Sequence, residues 1–155
     1  MEEPTPLSQV VEALIAALGS DLVALALFGS QARGEAGEDS DVDLLLIARS
    51  LPQNPFERRR RVQEPLLEAG IPSVSVLART PEEFTADVTP LHLDLAVDAV
   101  ILYDPEGFLA ERLERVRQLI QEAGLVRRRT AHGWVWWWRE QPRPGWSLTW
   151  EGFRP

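Results

Sequence analysis

The chain has 155 residues, 45% of them hydrophobic, which suits one compact domain with a real core. Its formal net charge of −8 argues against a general nucleic-acid binder, because such proteins gain most of their affinity by setting a basic surface against phosphates. It has no cysteine and only two, widely separated histidines, which excludes disulfides, thiolate metal sites and the usual zinc sphere, so any metal is held by oxygen and is a hard cation such as magnesium or manganese.

The opening residues Met1, Glu2, Glu3 and Pro4 are acidic and polar where a secretory signal is basic and then apolar. No apolar run approaches the length of a bilayer span, so the sequence reads as cytoplasmic, without a membrane partner. Over residues 6–18, Leu7, Val11, Leu14, Ile15 and Leu18 recur at helical spacing and Gly19 follows as a stop, which predicts an amphipathic helix. Residues 22–28 are an unbroken apolar run of strand length ending at Gly29 and Ser30, the mark of a strand covered on both faces. After a polar, glycine-bearing loop, residues 41–48 (DVDLLLIA) predict a second strand whose later part is fully buried. A helix is expected over 56–69, closed by Gly70, and a half-exposed third strand over 72–78.

Thr80, Pro81, Glu82 and Glu83 spell a helix start, and a short helix is expected over 91–97. A fourth strand follows over 100–103, then an amphipathic helix over 105–123 that carries Leu109, Leu113, Val116 and Ile120 and ends at Gly124. The remainder gathers six tryptophans among prolines and glycines, which predicts a hairpin and then an extended end. The fold class is therefore α+β, a mixed sheet flanked by helices, with one domain over 1–124 and a Trp-rich extension over 125–155 packed on the same domain.

The stretch Phe28-Gly-Ser-Gln-Ala-Arg-Gly34, followed by Ser40-Asp-Val-Asp43, sets two functional groups at the ends of adjacent strands. Glycine at position 29 lets backbone approach a phosphate, and the turn after it offers free amides with the Ser30 hydroxyl as a further donor. Arg33 lies one turn on, where it touches phosphate or braces the loop. Asp41 and Asp43, two apart in a strand, share a face and can hold one metal jointly or bridge two. Such ions neutralise a triphosphate and orient an in-line attack on its α-phosphorus.

Gly29, Ser30, Ala32, Arg33, Gly34, Ser40, Asp41, Asp43 and Leu44 together resemble the signature of the DNA polymerase β-type nucleotidyltransferase superfamily, in particular its minimal nucleotidyltransferase branch. The resemblance is strong over about residues 22–47 and weaker to about Pro105. It implies a mixed sheet flanked by helices and magnesium bound at the site. It also implies transfer of a nucleoside monophosphate from a triphosphate such as ATP to a hydroxyl, and for minimal members pairing with a HEPN-type partner as antitoxin to toxin. Fully active members carry a third carboxylate on a neighbouring strand, as metal ligand and base; here that strand offers Ser73 and Ser75. Asp94 and Asp98, the nearest downstream acids, are read as solvated or capping residues at a helix, with Asp94 a weak substitute for the missing base.

Three features invite other readings. The basic run Arg58 to Arg61 reads as a solvated helical face, with Glu57 placed to pair with Arg61. His92 and His132 read as ordinary surface or packing residues. Arg127 to Arg129 beside Trp134, Trp136, Trp137 and Trp138 is the chemistry of single-strand stacking, yet clustered tryptophans more often complete a core or an oligomer interface, and that reading is favoured.

Overall fold

The computed structural model describes residues 6–34, 42–71 and 73–155. The chain opens with helix α1 (Pro6–Leu18), whose stripe of Val10, Leu14 and Leu18 is buried. A single 3-10 turn (Gly19–Asp21) leads into strand β1 (Leu22–Phe28), buried at every position from Leu22 to Leu27. A short helix α2 (Gly29–Arg33) follows, then strand β2 (Val42–Ala48), buried from Leu44 onward. Both strands begin and end within a residue of where their apolar runs predict, because a strand buried on both faces cannot include a charged position in its middle.

Helix α3 (Pro55–Glu68) starts where Asn54 accepts hydrogen bonds from the amides of Phe56 (2.9 Å) and Glu57 (3.1 Å), with proline in the first turn. It ends at Gly70, whose φ of 77° lets the Ile71 amide turn back to the Leu66 carbonyl at 2.8 Å. Strand β3 (Val74–Arg79) begins two residues later than expected and buries Val74 and Ala78 while exposing Ser75, and α4 (Pro81–Phe84) opens with a reciprocal cap. There the Thr80 amide donates to Glu83 Oε1 (2.9 Å) and the Glu83 amide to Thr80 Oγ1 (3.2 Å). Helix α5 (Pro90–Asp98), strand β4 (Val100–Tyr103) and helix α6 (Phe108–Ala123) complete the first part of the chain. Helix α6 starts three residues later than its apolar spacing predicts, because Asp104 accepts from the amides of Leu109 (3.2 Å) and Ala110 (2.8 Å) and sets the first turn there.

The sheet is mixed, in order β3-β2-β1-β4: β1 runs antiparallel to β2 and β4, and β2 runs parallel to β3 through the α3 crossover. After α6 come strands β5 (Leu125–Thr130) and β6 (Gly133–Trp138), the expected hairpin. The segment expected to be extended instead folds back on itself as β7 (Ser147–Thr149) and β8 (Gly152–Arg154), an antiparallel pair turned at Trp150 and Glu151.

The chain divides into two compact units. The first is Met1–Phe84 with Asp98–Ala110; the second is Thr85–Val97 with Glu111–Pro155. In the first, Leu14, Leu25, Leu44, Leu46 and Leu66 form a core between the sheet and the helices α1 and α3. In the second, Leu93, Ala96, Val116, Ala123 and Leu125 are covered by Trp136, Trp138, Trp150, Leu148 and Phe153. Among the described residues no helix is long and apolar enough to cross a membrane.

Candidate functional site

Two antiparallel strands and one parallel neighbour converge on Asp43. Phe28, the last residue of β1, pairs with Asp43 in β2, and Asp43 lies in parallel register with Ser75 of β3. Paired residues on neighbouring strands project to the same face, so Asp43 and the Ser75 hydroxyl share one side of the sheet. Ser73 and Ser75 are both exposed, as a polar strand face predicts, and Asp43 is half-buried.

The chain turns at Gly29 with φ of 75°, a left-handed conformation that disfavours any side chain. A second constraint acts at the same residue: a β-carbon there would collide with Asp43 Oδ2, and would lie 3.3 Å from Asp43 Cγ. The carboxylate of the second strand thus sits directly over the turn that ends the first. The sequence motif brings these two groups together in space, which its linear spacing alone does not require. Ser30, next to Gly29 in α2, is half-buried at this same strand end.

Arg33, at the end of α2, reaches Asp98 at 3.4 Å, and the Asp98 carboxylate is only 8% exposed. The helix-end position expected for Asp98 holds, but its side chain is buried rather than solvated, and it pairs with the arginine at the end of α2. No local pattern announces this pair, since 65 residues separate its members; the available signal is that Asp98 immediately precedes the strand that closes the sheet on β1. Asp94 accepts a hydrogen bond from the Trp136 indole at 2.9 Å and faces Arg127 at 3.4 Å, so its carboxylate is committed to holding the hairpin of the second unit. Asp41 and Ser40 lie outside the described residues. Among the described residues, no three His, Cys, Asp or Glu side chains gather as ligands for a metal.

Elsewhere, Arg58 is not a solvated member of a basic run: it donates to the Glu83 carboxylate at 2.8 Å and to the Pro52 carbonyl at 2.7 Å. That contact and the Thr80 amide hold the Glu83 carboxyl below its usual range. Arg61 donates to the Ala17 carbonyl at 3.2 Å and so ties α3 to α1. His92 is buried, its Nδ1 accepting from the Thr89 amide at 3.0 Å, with its ring edge-on to Trp150; it is a packing residue.

The chain is similar to known proteins. Residues 7–129 match the model of the nucleotidyltransferase domain family. A Methanocaldococcus jannaschii protein, described as a candidate protein adenylyltransferase, is 36% identical over 107 residues, which is 66% of this chain and 73% of that protein. Among solved structures, a toxin-antitoxin complex with AMP-PNP contains a chain that shares the fold. Its TM-score is 0.52 at 19% identity, over 77% of this chain and 92% of that one.

Proposed function

The chain belongs to the nucleotidyltransferase domain family, and from that premise we propose that it transfers a nucleoside monophosphate from a magnesium-bound nucleoside triphosphate to a hydroxyl acceptor. One observation carries the reading: the Asp43 carboxylate occupies the space that a side chain at Gly29 would fill, so phosphate turn and acidic strand end meet at one point. Gly29 and the amides after it admit the triphosphate, and the Ser30 hydroxyl donates to it. Arg33, steered by Asp98, braces that turn and adds positive charge beside it.

The donors at this site are carboxylate and hydroxyl oxygens, which suit magnesium or manganese; Asp41 and Asp43 would hold the ion. When bound, the ion neutralises the triphosphate and polarises its phosphoryl oxygens. The acceptor oxygen attacks the α-phosphorus, its new bond to phosphorus forms as the bond to the bridging β-phosphate oxygen breaks, pyrophosphate leaves, and the hydroxyl proton passes to a base. The similarity to a candidate protein adenylyltransferase favours ATP as donor and a protein hydroxyl as acceptor, and the charge of −8 disfavours nucleic acid. The proposal takes residues 1–124 as the transferring domain of a cytoplasmic protein, with 125–155 as an extension of it.

A specific observation favours a second reading. Ser75 stands in register beside Asp43, where fully active relatives are expected to carry the third carboxylate. On that reading the chain is a weakened, nucleotide-binding partner module such as the antitoxin half of a pair with a HEPN-type toxin. Incubating purified protein with magnesium and each labelled triphosphate, with candidate protein and RNA acceptors present, separates the two. Transfer by the wild type that Asp43→Asn abolishes supports the enzyme. No transfer by the wild type, with a gain of about a hundredfold to ten-thousandfold over background in Ser75→Asp, supports the weakened module. Equal triphosphate affinity in wild type and Asp43→Asn would remove the site altogether.

A further inference from the structure

Strand β3 is an outer strand of the sheet, so one row of its backbone amides and carbonyls points away from β2. Part of that row is already engaged by a side chain. The Gln63 carboxamide of α3 donates from Nε2 to the Val74 carbonyl at 3.1 Å and accepts at Oε1 from the Val76 amide at 3.0 Å. In a parallel ladder, a residue of one strand donates to the carbonyl before its partner and accepts from the amide after it. Gln63 makes that pair of bonds around Ser75. Its side-chain amide therefore stands in for the N–H and C=O of one residue of an incoming parallel strand, in register with Ser75 and, through it, with Asp43.

The groove between α3 and this edge has a volume of about 640 Å³. Its walls include Arg58, Arg59, Arg79, Ser75 and Gln63 and, among the described residues, carry no carboxylate, in a chain whose net charge is −8. Of these arginines, Arg58 is matched by Glu83 and Arg79 donates to the Ala78 carbonyl at 2.8 Å, while Arg59 is exposed on the rim. Basic walls around a strand edge select a negatively charged occupant.

We propose that this groove receives an extended, acidic polypeptide segment of the acceptor protein, which displaces the Gln63 carboxamide and adds to β3 as a parallel strand. The residue opposite Ser75 then projects its side chain to the face that carries Asp43, so the docked segment presents a hydroxyl toward the site. Main-chain bonds supply affinity and alternate side chains supply selection, as in other cases of strand addition. The inference rests on the transfer reading above for its purpose but not for its test, because docking needs no nucleotide.

The probe is a fluorescein-labelled seven-residue peptide alternating glutamate and valine, titrated with the full chain and followed by anisotropy; triphosphate binding is measured separately by calorimetry. The expected result is saturable binding that weakens about tenfold when the central peptide nitrogen is methylated, since one main-chain hydrogen bond is lost. Binding should tighten by a similar factor in Gln63→Ala, where the competing amide is gone. Arg59→Glu should weaken it. Should Gln63→Ala fail to fold, the methylated and unmethylated peptides on the wild type still decide. If the two peptides bind the wild type equally or not at all, the proposal is overturned, and Gln63 is only a guard against edge pairing; self-association of Gln63→Ala would accompany that outcome. Triphosphate binding that persists then leaves the transfer reading intact, and its loss in the same sample would bring down that reading as well.

Discussion

The sheet of the first unit and the tryptophan cluster of the second solve the same burial problem with opposite materials. Strands β1 and β2 bury Leu25, Leu44, Leu45, Leu46 and Ile47 to 0% exposure, with no polar side-chain atom to satisfy. The second unit uses large rings that stay half-buried and take hold by polar handles: Trp136 donates to Asp94 and Trp150 to the Asp87 carbonyl at 3.1 Å. Trp138 meets Trp146 edge-on at 4.9 Å and Phe153 at 5.4 Å. Closed aliphatic packing fixes position in every direction and suits the strand ends that hold Asp43 over Gly29. Aromatic packing with a hydrogen-bonded handle fixes orientation while leaving area open, and the Trp137 ring, on the outer face of its hairpin, is 52% exposed.

Four substitutions press on that contrast. The largest loss belongs to the aliphatic side: Leu46→Ala leaves a cavity at a fully buried site and should cost about 2–5 kcal/mol, read as a shift in urea midpoint. Asp94→Ala strips the handle from Trp136 and should cost about 1–3 kcal/mol, with a change in near-ultraviolet circular dichroism as the ring loses its orientation. A larger loss here than in Leu46→Ala would invert the comparison. Gly29→Ala should cost about 1–2 kcal/mol for its left-handed backbone. Because the new methyl group displaces Asp43, this variant should also lose triphosphate affinity by calorimetry out of proportion to its stability.

The smallest effect is that of Glu83→Gln. The folded-state carboxyl of Glu83 lies below its ordinary value, so its contribution is present above the unfolded value and is lost as pH falls through the folded one. The carboxylate is 42% exposed, which screens the pair with Arg58. Melting curves of variant and wild type should differ slightly at neutral pH and coincide in acid below the Glu83 titration. A difference that persists there would mean the residue acts through packing.

What the sequence made legible divides along the same line. Strands β1 and β2 are legible almost to the residue because an apolar run of strand length bounded by turn residues reads as a buried strand, while the alternation of β3 gives the face shared by Ser73 and Ser75 but not which of them stands in register beside Asp43. The alternation of Trp134, Trp136 and Trp138 on one face of their hairpin was equally readable, since the period of a strand is two. The start of α6 was not, because a cap at Asp104 overrides the apolar spacing after it. Nor were the Arg33–Asp98 pair, the Asp94–Trp136 handle and the Gln63 bridge to β3, each of which depends on a tertiary approach that no local window contains. The fold β7–β8 escaped notice because three-residue strands carry too little periodicity to register.

Strand β4 pairs with β1 only after the chain has passed through β2, α3 and β3, so Val100, Ile101 and Tyr103 must return to Leu27, Ala26 and Leu25 over a long closed loop. The other three strands assemble from successive segments. Contacts of such high sequence separation form late in folding, and β4, with Val100 46% exposed at the sheet's edge, is the strand to open first. In native-state hydrogen exchange its amides should open at a lower free energy than those of Leu45 and Leu46. Asp98 lies two residues ahead of Val100, so an opening of the edge that carries Asp98 with it breaks its contact with Arg33. The order in which the chain zips up therefore sets when that pair can form: a nascent chain that has not yet delivered β4 has its glycine turn and its acidic strand, but not the carboxylate that meets Arg33.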